Sequence, residues 1–422
     1  MAAIGDSPRV SEPQALLLES VHETAAESLR AHGITVQTRP KGLGEDDLIA
    51  ALREMGDGPL MVGIRSKTHV TARVLEAVPN LIAVGAFCIG TDQIALAEAQ
   101  RRGVPVFNAP FSSTRSVAEL VVAEVVMLSR GVFQRSMAAH RGKWAKSAAG
   151  SHEVRGKTLG IIGYGHIGSQ VSILAEAFGM RVLYYDIDLK LPLGNADKSV
   201  TMQALLADSD FVTLHVPDTK LTRGMLGDEE LGYMKPGAFL LNLSRGKVVD
   251  IPALRERLVS GHIAGAALDV YPEEPASTTE EFRSELRGID NAILTPHIGG
   301  STVEAQANIG REVATALERW IGTGSTLGCV TLPQLDAPAP SRDASGSRIV
   351  NIHSNVPGVL SAINSVVADS SVNIVGQSLA TNEEVGLLYI DVQISPNDAK
   401  ARELRDAIDA LETSIRTRLI AL

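Results

Sequence analysis

Three polar residues stand where chemistry on a small 2-hydroxyacid or 2-oxoacid would need them. Arg245 follows the apolar run AFLLNLS, Glu274 follows AGAALDVY, and His297 follows AILTP. A histidine exchanges a proton near neutral pH, and a carboxylate beside it orients the ring and raises its pKa. An arginine grips a carboxylate through two hydrogen bonds. The set could therefore supply an acid/base, its partner and an anion clamp for hydride transfer.

Each of these residues also has an ordinary structural explanation. Arg245 could be a surface charge, Glu274 a turn residue in the Pro-rich YPEEP, and His297 a residue at the start of a helix. Spacing alone does not choose between the two explanations.

A glycine-rich turn predicts a dinucleotide site. Gly163, Gly165 and Gly168 of GYGHIG lie after the apolar run TLGIIG and before a helical stretch. The first glycine permits a tight turn, the second lets the backbone approach a pyrophosphate, and the third allows close packing of helix on strand. The helix N-terminus would then face the diphosphate. A turn that is merely rich in glycine is the alternative.

Carboxylates at the ends of two later runs fit the same site. RVLYYD ends at Asp186, at the expected distance for a carboxylate that binds the adenosine ribose, and Asp188 is a substitute two residues on. A carboxylate there repels a 2′-phosphate, so NAD is favoured over NADP. Asp186 could instead be an ordinary strand-end residue. Asp269, which ends AGAALD, could hold the nicotinamide ribose or amide region.

The elements that must position these residues form an α/β pattern. Residues 1–110 alternate apolar runs with helical stretches, which predicts parallel strands in βα units. A long amphipathic stretch, 113–135, leads to a second series of six predicted strands, typical of a doubly wound Rossmann sheet. A helix predicted over 301–321 returns to the first domain. We therefore expect a flavodoxin-like substrate domain at 1–110 and 301–335 and an NAD domain at 111–300. The strand candidates are LLLES, ITVQT, MVGIR, LIAVGAF and VPVF in the first domain, and TLGIIG, RVLYYD, FVTLHV, AFLLNL, IAGAALDV and AILTP in the second.

The C-terminal part predicts a third module. The stretch 322–347 is rich in Pro, Gly and Ser and lacks periodicity, and a linker is assigned to 336–347. Residues 348–422 then follow the order βαββαβ, a ferredoxin-like module.

Composition limits the partners. Lys plus Arg number 39 against 49 Asp plus Glu, a net charge of −10, so attraction to nucleic acid or an anionic membrane is not expected. The only cysteines, Cys88 and Cys329, give neither a disulfide framework nor metal-ligand spacing, so no metal is expected. Residues 1–13 lack the features of a secretory signal, and no run is long and apolar enough to span a bilayer. A soluble, cytoplasmic protein is the expectation.

The motifs resemble those of a known enzyme family. KPGAFLLNLSRGKVVD, GAALDVYPEEP and ILTPHIGGST, following GIIGYGHIG, resemble the D-2-hydroxyacid dehydrogenases. The resemblance implies that His297 is the acid/base, Glu274 its partner and Arg245 the carboxylate clamp. It also implies that Arg245 and His297 contact the cofactor, together with a set of further residues: His166, Ile167, Leu243, Ser244, Ile298, Gly299 and Gly300.

Further segments narrow the resemblance to bacterial 3-phosphoglycerate dehydrogenases of the serine pathway. They are GIRSKTHVT, VGAFCIGTDQ, FNAPFSSTRSVAE, HRGKWAKSAAGS and DIDLKLPLGNA. The resemblance implies 3-phosphoglycerate as substrate, with Arg65 and Ser66 at its phosphate and Asn108 and Gln306 nearby. Trp144 is then either a subunit-interface residue or ordinary packing. A homo-oligomer, with a tetramer favoured, is implied.

The C-terminal module resembles an ACT domain, which typically binds amino acids between two copies. HSNVPGVL and VNI carry the resemblance. It implies an effector site at His353, Asn355, Asn373 and Ile374, with L-serine as the natural candidate. The alternative is that these polar residues only cap and turn the chain.

Two other functions remain open from the sequence. Arg65 could bind a second carboxylate, so another 2-hydroxyacid such as 2-hydroxyglutarate could be the substrate. The second is a protein that is not an enzyme: a binding protein that responds to NAD and has no activity. This alternative stays open because a fold alone does not prove a function.

Overall fold

The computed structural model describes residues 12–275, 279–336 and 346–422. By contacts between residues the chain divides into two compact units: Met1–Ser112 with Gln306–Leu422, and Ser113–Ala305. Residues 1–11, which are most of the N-terminal segment expected to carry no secretory signal, lie outside the described residues, as do residues 337–345 of the predicted linker. The domain boundaries expected from the sequence stay predictions.

The first unit contains a five-stranded parallel sheet. Its order, β2-β1-β3-β4-β5, is the flavodoxin-like arrangement. The central strands β3 and β4 are buried along their whole length, which explains why LMVGI and LIAVGA are continuously apolar. The strands are β1 (Gln14–Leu17), β2 (Thr35–Thr38), β3 (Leu60–Ile64), β4 (Leu81–Ala86) and β5 (Val106–Phe107), and the helices between them are α1 (Glu23–Ala31), α2 (Glu45–Glu54), α3 (Ala72–Ala77) and α4 (Leu96–Arg101).

The second unit contains a seven-stranded parallel sheet ordered β12-β11-β10-β9-β6-β7-β8. This is the doubly wound order with one further strand, β12, at one edge. Its strands are β6 (Thr158–Ile162), β7 (Arg181–Tyr185), β8 (Ala196–Lys198), β9 (Phe211–Leu214), β10 (Ala238–Asn242), β11 (Ile263–Leu268) and β12 (Ala292–Leu294), and its helices are α5 (Thr114–Arg130), α6 (Val132–His140), α7 (His166–Ala177), α8 (Met202–Asp208), α9 (Asp228–Tyr233) and α10 (Ile251–Val259).

The structure adds two details to the sequence prediction of this unit. The edge strand β8 was not predicted, because it has three residues and two of them are exposed. The amphipathic stretch 113–135 is not one helix. It divides at Gly131, whose φ of 57° is left-handed and ends α5.

The C-terminal residues form a four-stranded antiparallel sheet ordered β14-β15-β13-β16. Its two helices pack with Ile349 and its neighbours on one face. The predicted order βαββαβ is confirmed, and with it the expected fold class of two parallel-sheet α/β domains and a ferredoxin-like module. The elements are α11 (Val303–Thr323), which precedes the module, and then β13 (Ser347–Ser354), α12 (Val359–Asp369), β14 (Ile374–Thr381), β15 (Val385–Val392), α13 (Ala399–Asp409) and β16 (Ser414–Ala421).

The other face of the antiparallel sheet joins the core of the first unit. Val350, Tyr389 and Trp320 of α11 belong to one buried apolar cluster. The Tyr389 hydroxyl donates to the carbonyl of Gly324 at 2.7 Å, and the Arg418 guanidinium lies 4.5 Å from the centre of the Trp320 ring. The C-terminal module is therefore packed against α11 and does not stand apart from it.

Within the described residues, no helix has the length and apolar character needed to cross a membrane.

Candidate active site

An imidazole–carboxylate pair lies after the last two strands of the second sheet. His297 follows β12 and Glu274 follows β11, and their Nδ1 and Oε2 atoms are 2.7 Å apart. Parallel neighbouring strands end at the same edge of a sheet, which is why residues 23 positions apart meet here. The His297 backbone has a φ of 53°, a left-handed value that is uncommon for a residue with a side chain. Half of its side chain is exposed, so a small molecule can reach the ring.

The pair shifts the pKa of both partners in the directions that favour a charged imidazolium beside a carboxylate. The hydrogen bond to Glu274 raises the pKa of His297, against an opposing effect of burial. Burial raises the pKa of Glu274, but the hydrogen bond and the charge of His297 outweigh it and leave the pKa of Glu274 below its ordinary value. Arg245 contributes a smaller lowering of both pKa values, so its charge is felt at the pair.

The turn that carries Arg245 is fixed from within. The Asn242 side chain donates to the Arg245 carbonyl at 3.0 Å, and its Oδ1 accepts from the backbone and hydroxyl of Ser244. Gly246 then passes so close to Tyr271 that an added Cβ would lie 1.9 Å from the Tyr271 carbonyl carbon. This close approach brings the Arg245 turn beside the segment that leads to Glu274.

Asp269, at the end of β11, holds the turn after His297. Its Oδ1 accepts from the Thr295 hydroxyl at 2.6 Å and from the Ile298 N–H at 2.8 Å, and its Oδ2 accepts from the Gly299 N–H at 2.7 Å. The Asp269 side chain is buried. We conclude that Asp269 orders the backbone around His297, a role additional to the cofactor contact expected for it.

The glycine turn has the geometry of a dinucleotide site. Gly163 has a φ of 92°, and a Cβ there would lie 2.3 Å from the carbonyl oxygen of His215. Beside Gly165 there is open space, with no atom within 4 Å of an added Cβ. The helix α7 begins at His166 and Ile167, so its free N–H groups lie at this opening. The residues present therefore fit NAD.

Asp186 is fixed next to that turn. Its Oδ2 accepts from the Tyr164 N–H at 2.7 Å and its Oδ1 accepts from the Asp188 N–H at 2.9 Å. A carboxylate has about four acceptor positions, so two remain for ribose hydroxyls. Asp188 itself pairs with Lys190 at 3.1 Å. Asp186 is thus the better placed of the two candidate carboxylates.

Leu243, Ser244 and Gly300 complete the expected cofactor set in the second unit. Leu243 and Ser244 are buried in the turn after β10, and Gly300 follows the Asp269-bound backbone. Their contact with the cofactor stays a prediction.

The residues expected at the substrate lie in the first unit. Arg65 and Ser66 follow β3, and Asn108 follows β5. The Gln93 amide donates to the Arg65 carbonyl at 2.5 Å and the Asn108 amide donates to the Ile89 carbonyl at 2.7 Å, so the loop after β4 connects the two positions. Gln306 lies half-buried on α11, and its expected proximity to Arg65 stays a prediction.

The residues expected at the effector site have unlike environments. His353 is 3% exposed and contacts the Asn351 side chain at 3.0 Å, and burial lowers its pKa. Asn355 is exposed and donates to the Asn382 carbonyl at 2.7 Å. Asn373 is exposed and Ile374 half-buried at the start of β14.

Sequence reasoning missed the residues that hold the functional turns. Asn242 is one of them, and Glu19 is another, because its carboxylate accepts the N–H groups of Lys67 and Thr68 in the segment after Arg65. Both are polar residues at the carboxyl end of an apolar run, and that pattern could have identified them.

Comparison with known proteins gives consistent matches. Residues 122–299 match the NAD-binding domain of D-isomer specific 2-hydroxyacid dehydrogenases, and residues 349–416 match the ACT domain of the AHAS small subunit type. The chain is 50% identical over 405 residues to D-3-phosphoglycerate dehydrogenase of Escherichia coli (strain K12), covering 96% of this chain and 97% of the relative. It is 49% identical to the D-3-phosphoglycerate dehydrogenase of Dictyostelium discoideum, with 96% of each chain covered.

Solved structures agree on the fold. A glyoxylate reductase from Paecilomyes thermophila is 27% identical with a TM-score of 0.68, covering 76% of this chain and 98% of its own. A D-lactate dehydrogenase from Aquifex aeolicus, complexed with NAD and lactic acid, is 27% identical with a TM-score of 0.63, covering 73% and 95%. The imidazole–carboxylate pair, the glycine turn and the full-length relatives all lead to the same assignment. The chain belongs to the D-3-phosphoglycerate dehydrogenases of the D-isomer specific 2-hydroxyacid dehydrogenase family, and it is an NAD-dependent enzyme.

Proposed function

We propose that the protein oxidises D-3-phosphoglycerate to 3-phosphohydroxypyruvate, the first step of L-serine biosynthesis. The observation that carries the proposal is the 2.7 Å contact between His297 and Glu274. The charge of Arg245 is near enough to lower the pKa of both side chains. The full-length relatives named above support this substrate.

Each side chain has a separate task in this reaction. Neutral His297 accepts the proton of the C2 hydroxyl, and the Glu274 carboxylate stabilises the imidazolium that results. Arg245 binds the substrate carboxylate. The glycine turn at Gly163 and Gly165 and the Asp186 carboxylate would hold NAD, which would supply the hydride acceptor for C2. The Asp269 contacts keep the His297 turn in place while the proton moves.

Specificity for the phosphate is assigned to Arg65 and Ser66, with Asn108 and Gln306 as further substrate contacts. The protein has a net charge of −10, so a local cation is needed to hold an anionic substrate. The Glu19 carboxylate binds the backbone N–H groups of Lys67 and Thr68, just after Arg65. This contact supports the assignment because it holds the backbone beside Arg65 in one position.

Regulation and assembly are also part of the proposal. L-serine is assigned to the ACT module at His353, Asn355, Asn373 and Ile374. A homo-oligomer, with a tetramer favoured, is supported by Trp144, which is 86% exposed, and by α6, on which no residue is buried. Packing within the chain does not account for that tryptophan. A cytoplasmic location is proposed for the enzyme.

One assay tests substrate, cofactor and effector. NADH formation is measured with 3-phosphoglycerate, with and without L-serine, and 2-hydroxyglutarate is run as a competing substrate. We expect turnover on 3-phosphoglycerate that serine lowers. Faster turnover on 2-hydroxyglutarate would reassign the substrate, and no activity on either would favour a binding protein.

A further inference from the structure

A buried carboxylate in the first unit binds two backbone N–H groups just after the residues assigned to the substrate phosphate. Glu19 follows β1, and its Oε2 accepts from the Lys67 N–H at 2.9 Å while its Oε1 accepts from the Thr68 N–H at 2.8 Å. Glu19 is 8% exposed, so the carboxylate is largely shielded from water. Hydrogen bonds between a carboxylate and backbone N–H groups are roughly twice as strong as neutral ones.

The backbone that carries this carboxylate is strained. Glu19 has a φ of 62° and Ser20 a φ of 51°, and in the described part of the chain only two other non-glycine residues, His297 and Ser371, have a left-handed φ. The left-handed conformation is uncommon for residues with a side chain, costs energy, and clusters at functional sites. The strain at two successive residues therefore favours a functional role for the corner after β1.

The segment bound by Glu19 is also held by Gln93. The Gln93 amide donates to the Arg65 carbonyl at 2.5 Å, and the Gln93 carbonyl accepts from the Val70 N–H at 3.0 Å. Ser66 and Lys67 are exposed and Arg65 is half-buried, and within the described ranges no hydrogen bond or ion pair engages these three side chains. The backbone of the segment is thus fixed, while its side chains are available to a ligand.

The loop after β2 packs against the same contact. The Thr68 hydroxyl accepts from the Leu43 N–H at 3.2 Å. A Cβ on Gly42 would lie 3.1 Å from the Thr68 hydroxyl oxygen and 3.5 Å from the Cγ of Glu19. The residues that follow β1, β2 and β3 are therefore joined into one corner, with the Glu19 carboxylate inside it.

We propose that Glu19 is a positioning residue that determines how the distal anion of the substrate is recognised. Successive backbone N–H groups can bind an anion, and Glu19 occupies those of Lys67 and Thr68 with a carboxylate of the protein itself. The distal anion is then bound by the side chains of Arg65 and Ser66, which the fixed backbone presents. This inference rests on the proposed function for the identity of that anion, the phosphate of 3-phosphoglycerate.

Glu19→Gln is the main test variant, because it keeps the size of the side chain. An amide has one acceptor oxygen and two N–H donors, so one of the two bound backbone N–H groups loses its acceptor. Glu23→Gln is the matched control, since the Glu23 side chain is 61% exposed on α1 and pairs with Arg30. All variants are measured in the full-length protein.

Steady-state kinetics should show a change in KM alone. We expect E19Q to raise KM for 3-phosphoglycerate roughly 10-fold, because a charge-assisted hydrogen bond beside Arg65 is lost. The kcat value should be nearly unchanged, since the chemistry at C2 is remote from the phosphate. KM for D-glycerate, the same acid without the phosphate, should change far less, and E23Q should behave as wild type. An unchanged or lower KM of E19Q for 3-phosphoglycerate overturns the inference.

A double-mutant cycle with Arg65→Ala separates positioning from a general effect on the fold. If Glu19 acts through Arg65, E19Q should change KM by less than about 2-fold once the guanidinium is absent. If E19Q raises KM as much in the R65A background as in wild type, Glu19 acts independently of Arg65 and the inference is overturned.

Hydrogen exchange measured by mass spectrometry gives a readout that needs no substrate. Peptides that contain Lys67 and Thr68 should exchange faster in E19Q than in wild type, and peptides from β4 should exchange alike in both. Unchanged exchange in the first peptides overturns the inference. A wild type that does not oxidise 3-phosphoglycerate refutes the proposed function alone, because the exchange result still decides on Glu19.

Glu19→Asp replaces E19Q if the amide variant does not fold. This variant keeps the charge but is shorter by one methylene, so it cannot reach both N–H groups as Glu19 does. We expect a smaller rise in KM for 3-phosphoglycerate and faster exchange of the same peptides. Wild-type KM together with wild-type exchange in Glu19→Asp overturns the inference.

Discussion

At the scale of single residues, His297 combines a left-handed backbone with a carboxylate partner. A φ of 53° is uncommon for a residue with a side chain and costs conformational energy. Asp269 holds the turn around it by accepting hydrogen bonds from the Thr295 hydroxyl and from the Ile298 and Gly299 N–H groups. The Glu274 contact then sets the tautomer, because Nδ1 faces the carboxylate and Nε2 is left for the substrate.

Removing the imidazole tests this assignment. His297→Ala should lower kcat for 3-phosphoglycerate by ~10²–10⁴-fold, because a positioned acid/base contributes about that much. NADH binding, measured by fluorescence, should largely persist. His32→Ala, with a side chain 58% exposed in the first unit, is the control and should retain full turnover. Near-wild-type turnover of His297→Ala means that another residue is the acid/base.

The partner carboxylate should be visible in the pH profile. The Glu274 hydrogen bond raises the pKa of His297, so Glu274→Gln should lower that pKa. Oxidation needs neutral His297, and its rate rises as pH passes the histidine pKa. The acid limb of kcat/KM should therefore move to lower pH in Glu274→Gln. An acid limb at the wild-type pH would show that Glu274 does not control the proton.

At the scale of elements, the edge where the strands end explains how the sites form. In the second sheet β7, β10, β11 and β12 each end at a functional residue or the turn that carries one. Since parallel strands share this edge, residues far apart in sequence become neighbours. The same edge of the first sheet carries Arg65 after β3 and Asn108 after β5.

Asp186, at the end of β7, should determine the preference for NAD over NADP. Wild type should prefer NAD over NADP in kcat/KM, and Asp186→Asn should lower the NAD value by roughly 10- to 100-fold, since a hydrogen bond to a charged group contributes about 1.5–3 kcal/mol. Asp188→Asn is the control, because its carboxylate is 69% exposed and pairs with Lys190. A wild-type preference for NADP contradicts the assignment of Asp186.

Arg65, which follows β3, should determine how tightly the substrate phosphate is bound. Arg65→Ala should raise KM for 3-phosphoglycerate by roughly 10-fold or more, because it removes a charge-assisted hydrogen bond. A 2-hydroxyacid without a distal anion should be affected far less. Lys67→Ala, an exposed neighbour, tests whether any nearby cation suffices. Equal losses on both substrates would reject a phosphate-specific role.

The strands and the site residues were predictable to different degrees. Buried parallel strands are continuous apolar runs, so eleven runs in the first two domains predicted strands that the structure contains. The short edge strand β8 left no apolar run, and the break at Gly131 interrupts no periodicity. Polar residues at strand ends were recognised when they matched a family motif. Glu19 was not, because the N–H groups that it holds, those of Lys67 and Thr68, are distant from it in sequence. Asn242 was not recognised either, although its partners Ser244 and Arg245 are its near neighbours in sequence.

At the scale of the whole chain, the C-terminal module shares a core with residues far from it in sequence. Trp320 donates to the Ile82 carbonyl and stacks under Arg418, and Arg348 forms a buried ion pair with Asp391 at 2.7 Å. Such pairings cannot be read from local periodicity. They also mean that cutting the chain after the catalytic part would expose Trp320, so truncation is a poor test of regulation.

Point variants of the full chain test regulation instead. An effector changes activity only if it binds one conformational state better than another. We expect serine to bind wild type and lower its turnover, and Asn355→Ala and Asn373→Ala each to weaken serine binding by about 10-fold, which is about 1.4 kcal/mol. Uninhibited turnover should be nearly unchanged, because neither asparagine belongs to the catalytic set. Asn397→Ala, at another exposed asparagine of the module, should behave as wild type.

Calorimetry measures serine binding, and initial rates measure inhibition by serine. A wild type that binds no serine refutes the effector assignment, and full inhibition of both variants places the regulatory site elsewhere.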